Sequence, residues 1–142
     1  MYKRIVVAYN ESPEARRALA SAIHLTKILG SELRVITIRE LSANGAYAAV
    51  DSSLPWILLE DRRERYERLQ AEARETALRE GVEVVTHLLD GDAASALVGF
   101  LLQDKPDLLV MGLHRPTSHL SCLWSTVYEV AQEAPCSVLG VH

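Results

Sequence analysis

The run Lys3-Arg4-Ile5-Val6-Val7-Ala8-Tyr9, closed by Asn10-Glu11-Ser12-Pro13, governs how the rest of the chain is read. A short Val/Ile-rich stretch without polar alternation is the pattern of a strand buried on both faces, as in a parallel sheet covered by helices. Ser12 stands where a helix N-cap belongs, and Pro13 at the first helical position. From there Ala15, Ala18, Leu19, Ala22, Leu25, Thr26 and Leu29 recur at three- and four-residue spacing, and Gly30 is placed to end the helix in a left-handed cap. Leu33 to Ile38 is a second β-branched run entered directly from that glycine. Strand, helix and strand joined so closely form a crossover, which implies parallel pairing and right-handed winding.

The same alternation continues downstream. Leu41 to Pro55 carries Asp51 as its only charge and an Asn44-Gly45 turn signal, and reads as a mobile loop in reach of a site. Beyond Pro55, Leu59, Tyr66, Leu69, Ala73 and Ala77 hold helical spacing up to Gly81, with Asp61/Arg65, Glu64/Arg68 and Glu75/Arg79 as four-apart ion pairs. Arg62, Arg63, Arg65 and Arg68 are interleaved with glutamates, so they read as a solvated helix face and receive no function. Val82 to Leu89 reads as a third strand, Gly91-Asp92 opens a helix through Phe100 and Leu102, and Asp107 to Met111 is a fourth strand. Leu123 to Ala134 is helical until Pro135 stops it, and Ser137 to Val141 is a fifth strand. Five strands alternating with four helices specify one three-layer α/β/α domain over residues 1–142, built on an open, mostly parallel five-stranded sheet.

Composition narrows the function. A length of 142 residues matches one domain, and 49% apolar with 24% charged residues excludes disordered and fibrous classes. A formal charge of -4 gives no overall attraction to nucleic acid or anionic lipid, so any anion site is local. No apolar stretch approaches the roughly 20 residues that span a bilayer, and the N-terminus lacks a secretory core and a small-residue cleavage site. The expectation is a cytoplasmic protein with no membrane or nucleic-acid partner and with Cys122 and Cys136 reduced.

Ligands of such sheets bind beyond the carboxyl ends of strands where strand order reverses. Two segments qualify, Ala8 to Ser12 and Gly112 to Thr126. No acid falls between Asp107 and Glu129, whereas Arg115, His114, His119, five hydroxyl residues and a helix N-terminus do, a field that favours a small anion. His114, His119 and Cys122 match no common zinc spacing, so no metal is assigned. Cys136 reads as a core residue opening a buried strand, Cys122 as exposed beside the pocket, His24 and His87 as structural, and Trp56 and Trp124 as packing residues. The Gly-Lys-Ser/Thr, Gly-x-Gly-x-x-Gly, Gly-x-Ser-x-Gly and Cys-x-x-Cys motifs are all missing. No catalytic residue is assigned, Glu11 near Thr126 being the one acid–hydroxyl pair on offer.

Tyr2-Lys3-Arg4-Ile5-Val6-Val7-Ala8 with Ser12 after it, the Met111-Gly112 exit from the fourth strand, and Ala134-Pro135-Cys136-Ser137-Val138-Leu139 together resemble the universal stress protein family over essentially the whole chain. The resemblance implies a Rossmann-like, adenine nucleotide alpha hydrolase-like fold with a ligand cleft at Ala8, Asn10, Ile38, Gly112, Arg115, Ser125 and Thr126. Nucleotide-binding members carry, after strand four, glycine, two residues, glycine, nine residues, glycine and then serine or threonine. Gly112 matches the first glycine and Thr126 the hydroxyl, while Arg115 and Ser125 replace the other two glycines and Asn10 replaces the aspartate after strand one.

A guanidinium can fork a phosphate, but Arg115 fills volume, and any side chain at a positive-φ turn costs on the order of 1 to 2 kcal/mol. The resemblance is therefore nearer to the subclass that dimerises without ATP. It implies a stress-response binding or signalling module, a homodimer through the edge strand 137–141 with Gly140 permitting close backbone approach, and no required cofactor. The alternative is a member that binds ATP or another adenine nucleotide, with slow hydrolysis its one enzymatic option. A third is a different small anionic ligand.

Overall fold

Ile5, Val6 and Val7 have no exposed surface at all, so the first strand lies at the centre of the sheet with a helix layer on either side. The computed structural model describes residues 1–39, 55–113 and 123–142, and of residues 55–62 and 123–125 the backbone alone. Its strands are β1 (Arg4–Ala8), β2 (Glu32–Arg39), β3 (Val84–Asp90), β4 (Leu108–Gly112) and β5 (Ser137–Val141). They form a single sheet in the order β3-β2-β1-β4-β5, every pairing parallel. The helices are α1 (Pro13–Leu29), α2 (Pro55–Arg79), α3 (Ala93–Asp104) and α4 (Leu123–Glu133).

The alternation of side chains along β1 sorts the core into two halves. Ile5 and Val7, with Leu33 and Val35 of β2, pack against Ala18, Leu19 and Ala22 of α1 and Leu69, Ala73 and Ala77 of α2. Val6 and Ile36 face the other way, onto Leu97, Val98 and Leu101 of α3 and Val130 of α4. The expected three layers are therefore present, α1 and α2 on one face, α3 and α4 on the other.

Local chemistry sets the element ends. Ser12 Oγ accepts the Ala15 N–H at 3.1 Å, and Gly30 closes α1 at φ 65 with its N–H bound to the Thr26 carbonyl. Asp92 caps α3 by accepting the Ser95 N–H at 3.1 Å. That helix ends on Lys105 at φ 51, a left-handed residue other than glycine, with Pro106 blocking continuation. Strand β3 begins at Val84 instead of Val82, because the Val82 N–H donates to the Ala77 carbonyl and its side chain joins the core as part of the α2 terminus. The fifth strand takes the sheet edge, as expected, but is not buried: it exposes Ser137, Leu139 and Gly140, and Cys136 precedes it half-buried against the second core cluster. Glu75 and Arg79 pair as expected, and Arg63 and Glu67 add a second four-apart pair on α2. Of the loop read over Leu41 to Pro55, Pro55 belongs instead to the first turn of α2, and the rest lies outside the described residues.

Two glycines touch their surroundings closely. A Cβ on Gly112 would lie 2.6 Å from the Glu14 carbonyl carbon and 2.7 Å from the Ala15 nitrogen, so the first turn of α1 rests on the end of β4. A Cβ on Gly140 would lie 2.5 Å from Leu113 Cδ1, the end of a side chain that can turn away. Gly112→Ala is accordingly expected to lower stability by about 2 to 3 kcal/mol, seen as a lower urea midpoint at unchanged slope, and Gly140→Ala by less than about 1 kcal/mol. Equal losses would contradict the backbone contact.

Candidate functional site

The order of strands reverses between β1 and β4. A cleft of about 450 Å³ opens there, within the roughly 300 to 1,000 Å³ usual for small-molecule sites. Its base is the β1–α1 connection from Ala8 to Ser12, the end of β2 from Ile36 to Ile38, and Met111 and Gly112 of β4. Ala15 of α1, Arg65, Tyr66 and Leu69 of α2, Ala93 and Leu97 of α3, and Thr126 of α4 form its sides.

Of the residues expected from sequence, Ala8, Asn10, Ile38, Gly112 and Thr126 share this cleft. Ser125 falls in the first turn of α4, its side chain outside the description; Arg115, His114, His119 and Cys122 lie outside the described residues. The space that the missing Cβ of Gly112 leaves is filled by α1 backbone, so helix packing already accounts for glycine there, without a phosphate contact. Asn10 Oδ1 accepts the Ser12 N–H at 2.9 Å, a local turn that fixes the start of α1. Ser12 and Asp92 in turn satisfy N–H groups of α1 and α3, reducing the donors those helix ends offer to a ligand.

Three polar cleft residues escaped the sequence reading: Thr37, Arg65 and Tyr66. Thr37 is 1% exposed, and among the described residues its hydroxyl has no hydrogen-bond partner. A β-branched residue inside a strand run gives no hint of that. The side chain of Asp61, its expected partner, lies outside the description; Arg65 Nε and Nη2 donate to the two carboxylate oxygens of Glu11, Nη2 at 2.7 Å. Those hydrogen bonds first, with the charges of Arg65, Arg16 and Arg68, outweigh desolvation and hold the Glu11 carboxyl below its ordinary range. A carboxylate whose proton affinity is lowered in this way is a weaker base.

Tyr9 marks the wall between α1 and α2. It is 3% exposed, and its hydroxyl donates to Glu72 Oε1 at 2.9 Å, while Arg16 Nε approaches the same oxygen at 3.2 Å. Burial, and then the bond to Glu72 and its charge, push the phenol from 10.0 up to about 12.

A model of the universal stress protein family matches residues 1–142. The chain belongs to that family. A universal stress protein from Thermus aquaticus is 34% identical over the full length of both chains. Universal stress protein UspA from Lactobacillus plantarum superposes with a TM-score of 0.82 at 20% identity, covering 99% of this chain and 98% of its own. A universal stress protein solved in complex with cAMP superposes with a TM-score of 0.77 at 23% identity, covering 99% and 97%. The adenine nucleotide alpha hydrolase-like fold is thus shared.

Elsewhere the described residues are chemically quiet. On β3, His87 lies 5.1 Å from the Phe100 ring, and burial, aided by the Arg34 charge, lowers its pKa and favours the neutral imidazole, in keeping with a structural role. Burial raises the Cys136 thiol and keeps it protonated. Among the described residues no three metal-ligating side chains converge, and no helix is long and apolar enough to cross a membrane.

The Tyr9 shift has a readable consequence. Because the folded state holds this proton more tightly than the unfolded chain, its contribution is complete below pH 10.0 and is lost as pH rises toward about 12. Wild-type stability is expected to fall by roughly 2 kcal/mol more than that of Tyr9→Phe between about pH 9 and about pH 11.5, measured by urea unfolding. Parallel declines in the two proteins would refute the assignment.

Proposed function

We propose that this universal stress protein is a ligand-responsive binding module that holds an adenine nucleotide of few phosphoryl groups between β1 and β4, without turning it over. The observation that carries the reading is the cleft itself: Ala8, Asn10, Ile38, Gly112 and Thr126, drawn from four separate segments, meet where the strand order reverses. Apolar surface from Ile38, Tyr66, Leu69 and Leu97 suits a base, and the start of α4 with Thr126 suits an anion. The relative solved with cAMP supports an adenine ligand with a single phosphoryl group. Arg115 and Ser125, where nucleotide-binding members carry glycine, reduce the room for a longer phosphate tail. Glu11, held ionised by Arg65, is a weaker base for hydrolysis.

The module works as a cytoplasmic homodimer in the stress response, its two copies joined along β5. The support is that β5 is an edge strand whose outer backbone groups await a partner, and that Leu139 beside them is exposed. Calorimetric titration should show AMP binding more tightly than magnesium-ATP, with no nucleotide consumed. Magnesium-ATP bound below about 10 µM, roughly 7 kcal/mol, and more tightly than AMP would overturn the degenerate-site reading. In equilibrium sedimentation the protein is expected at twice the 15.7 kDa of the chain, and a monomer at all concentrations would overturn the dimer.

A further inference from the structure

Strand β2 outruns β1. Their last register pair is Ala8 with Ile36, and the Tyr9 N–H closes the ladder on the Ile36 carbonyl at 2.8 Å, whereas β2 stays paired with β3 as far as Arg39. Thr37 and Ile38 therefore have a strand neighbour on the β3 side only, and both line the cleft. Thr37 stands two residues after Val35 and faces the same layer, the one from which Tyr66 and Leu69 reach the cleft. Among the described residues five buried side-chain polar atoms lack a hydrogen-bond partner, and of these the Thr37 hydroxyl alone belongs to a cleft residue. At 1% exposure it has no water to turn to either. A buried hydroxyl without a bond is costly, so one kept on the wall of a ligand cleft marks where a ligand atom supplies the missing partner.

We infer that the Thr37 hydroxyl is the base-reading group of the cleft: it hydrogen-bonds the polar edge of the bound base and makes the cleft reject a ring without such an edge. The inference rests on the nucleotide reading and keeps its orientation. Strands β2 and β4 flank β1 at two interstrand spacings, roughly 10 Å apart, so a base edge at Thr37 leaves the phosphoryl group at the end of β4 and the start of α4, beside Gly112 and Thr126. A hydroxyl oxygen has lone pairs to accept from the amino group of adenine. Where that group is replaced by hydrogen, the buried hydroxyl stays unpaired, and a site built around such a group discriminates most strongly against the ligand that leaves it so.

The test compares wild type with Thr37→Val, which keeps the shape of the side chain without its hydroxyl, and Thr37→Ser, which keeps the hydroxyl. Circular dichroism melting checks that each folds, and Thr37→Val is expected to melt no lower than wild type, since the lost hydroxyl has no protein partner among the described residues. AMP and purine riboside monophosphate, which is AMP with hydrogen in place of the amino group, are titrated calorimetrically. Both carry the same phosphoryl group, so the ratio of their affinities isolates the base. Wild type and Thr37→Ser are expected to prefer AMP by about tenfold, and Thr37→Val to bind the two alike. Equal affinities in wild type, an undiminished preference in Thr37→Val, or a preference lost equally in Thr37→Ser overturns the inference and leaves the nucleotide reading standing. Failure of wild type to bind either nucleotide overturns both.

Discussion

The first turn of α1 rests directly on the end of β4, and little else about the upper face of the sheet is free once that contact is made. The approach is backbone to backbone, at Gly112 against Glu14 and Ala15, and it admits no side chain. It fixes the distance between the end of β4 and the start of α1, both of which line the cleft. It also places Ser12, the cap of α1, and Glu11 before it at the cleft border. A glycine that looks like part of an anion cradle is held in place by helix packing, and what remains for a ligand is the space to either side.

Much of this architecture is legible in the residues. Val6 between Ile5 and Val7, with no polar alternation, signals a strand covered on both sides, and Ser12 with Gly30 brackets α1 to the residue. The turn chemistry behind Lys105 is not legible, because a lysine in the left-handed region carries no compositional mark. The edge place of β5 is legible, but not how far its side chains are exposed, because Val138, Leu139 and Val141 read alike whether or not a helix covers them.

The cleft divides along the same line. Ala8, Asn10, Gly112 and Thr126 sit at strand ends and helix starts, where topology alone foretells a site. Arg65 and Tyr66 come from the middle of a long helix whose sequence is a regular run of opposite charges. Helical periodicity says which face Arg65 shares with its neighbours, but the partner it finds, Glu11, is 54 residues away and reached only through the fold. Thr37 is concealed for the opposite reason, its hydroxyl being one small polar atom within an apolar strand.

Leu113 gives the last of these relations its scale. Its side chain covers Gly140, its N–H holds the Val141 carbonyl at 2.7 Å, and the residue before it is Gly112 in the cleft wall. The floor of the ligand space and the rim of the outermost strand are thus separated by a single peptide bond. A shift of backbone at Gly112 is transmitted to that rim as a hinge transmits to its leaf, with no intervening side chain to absorb it.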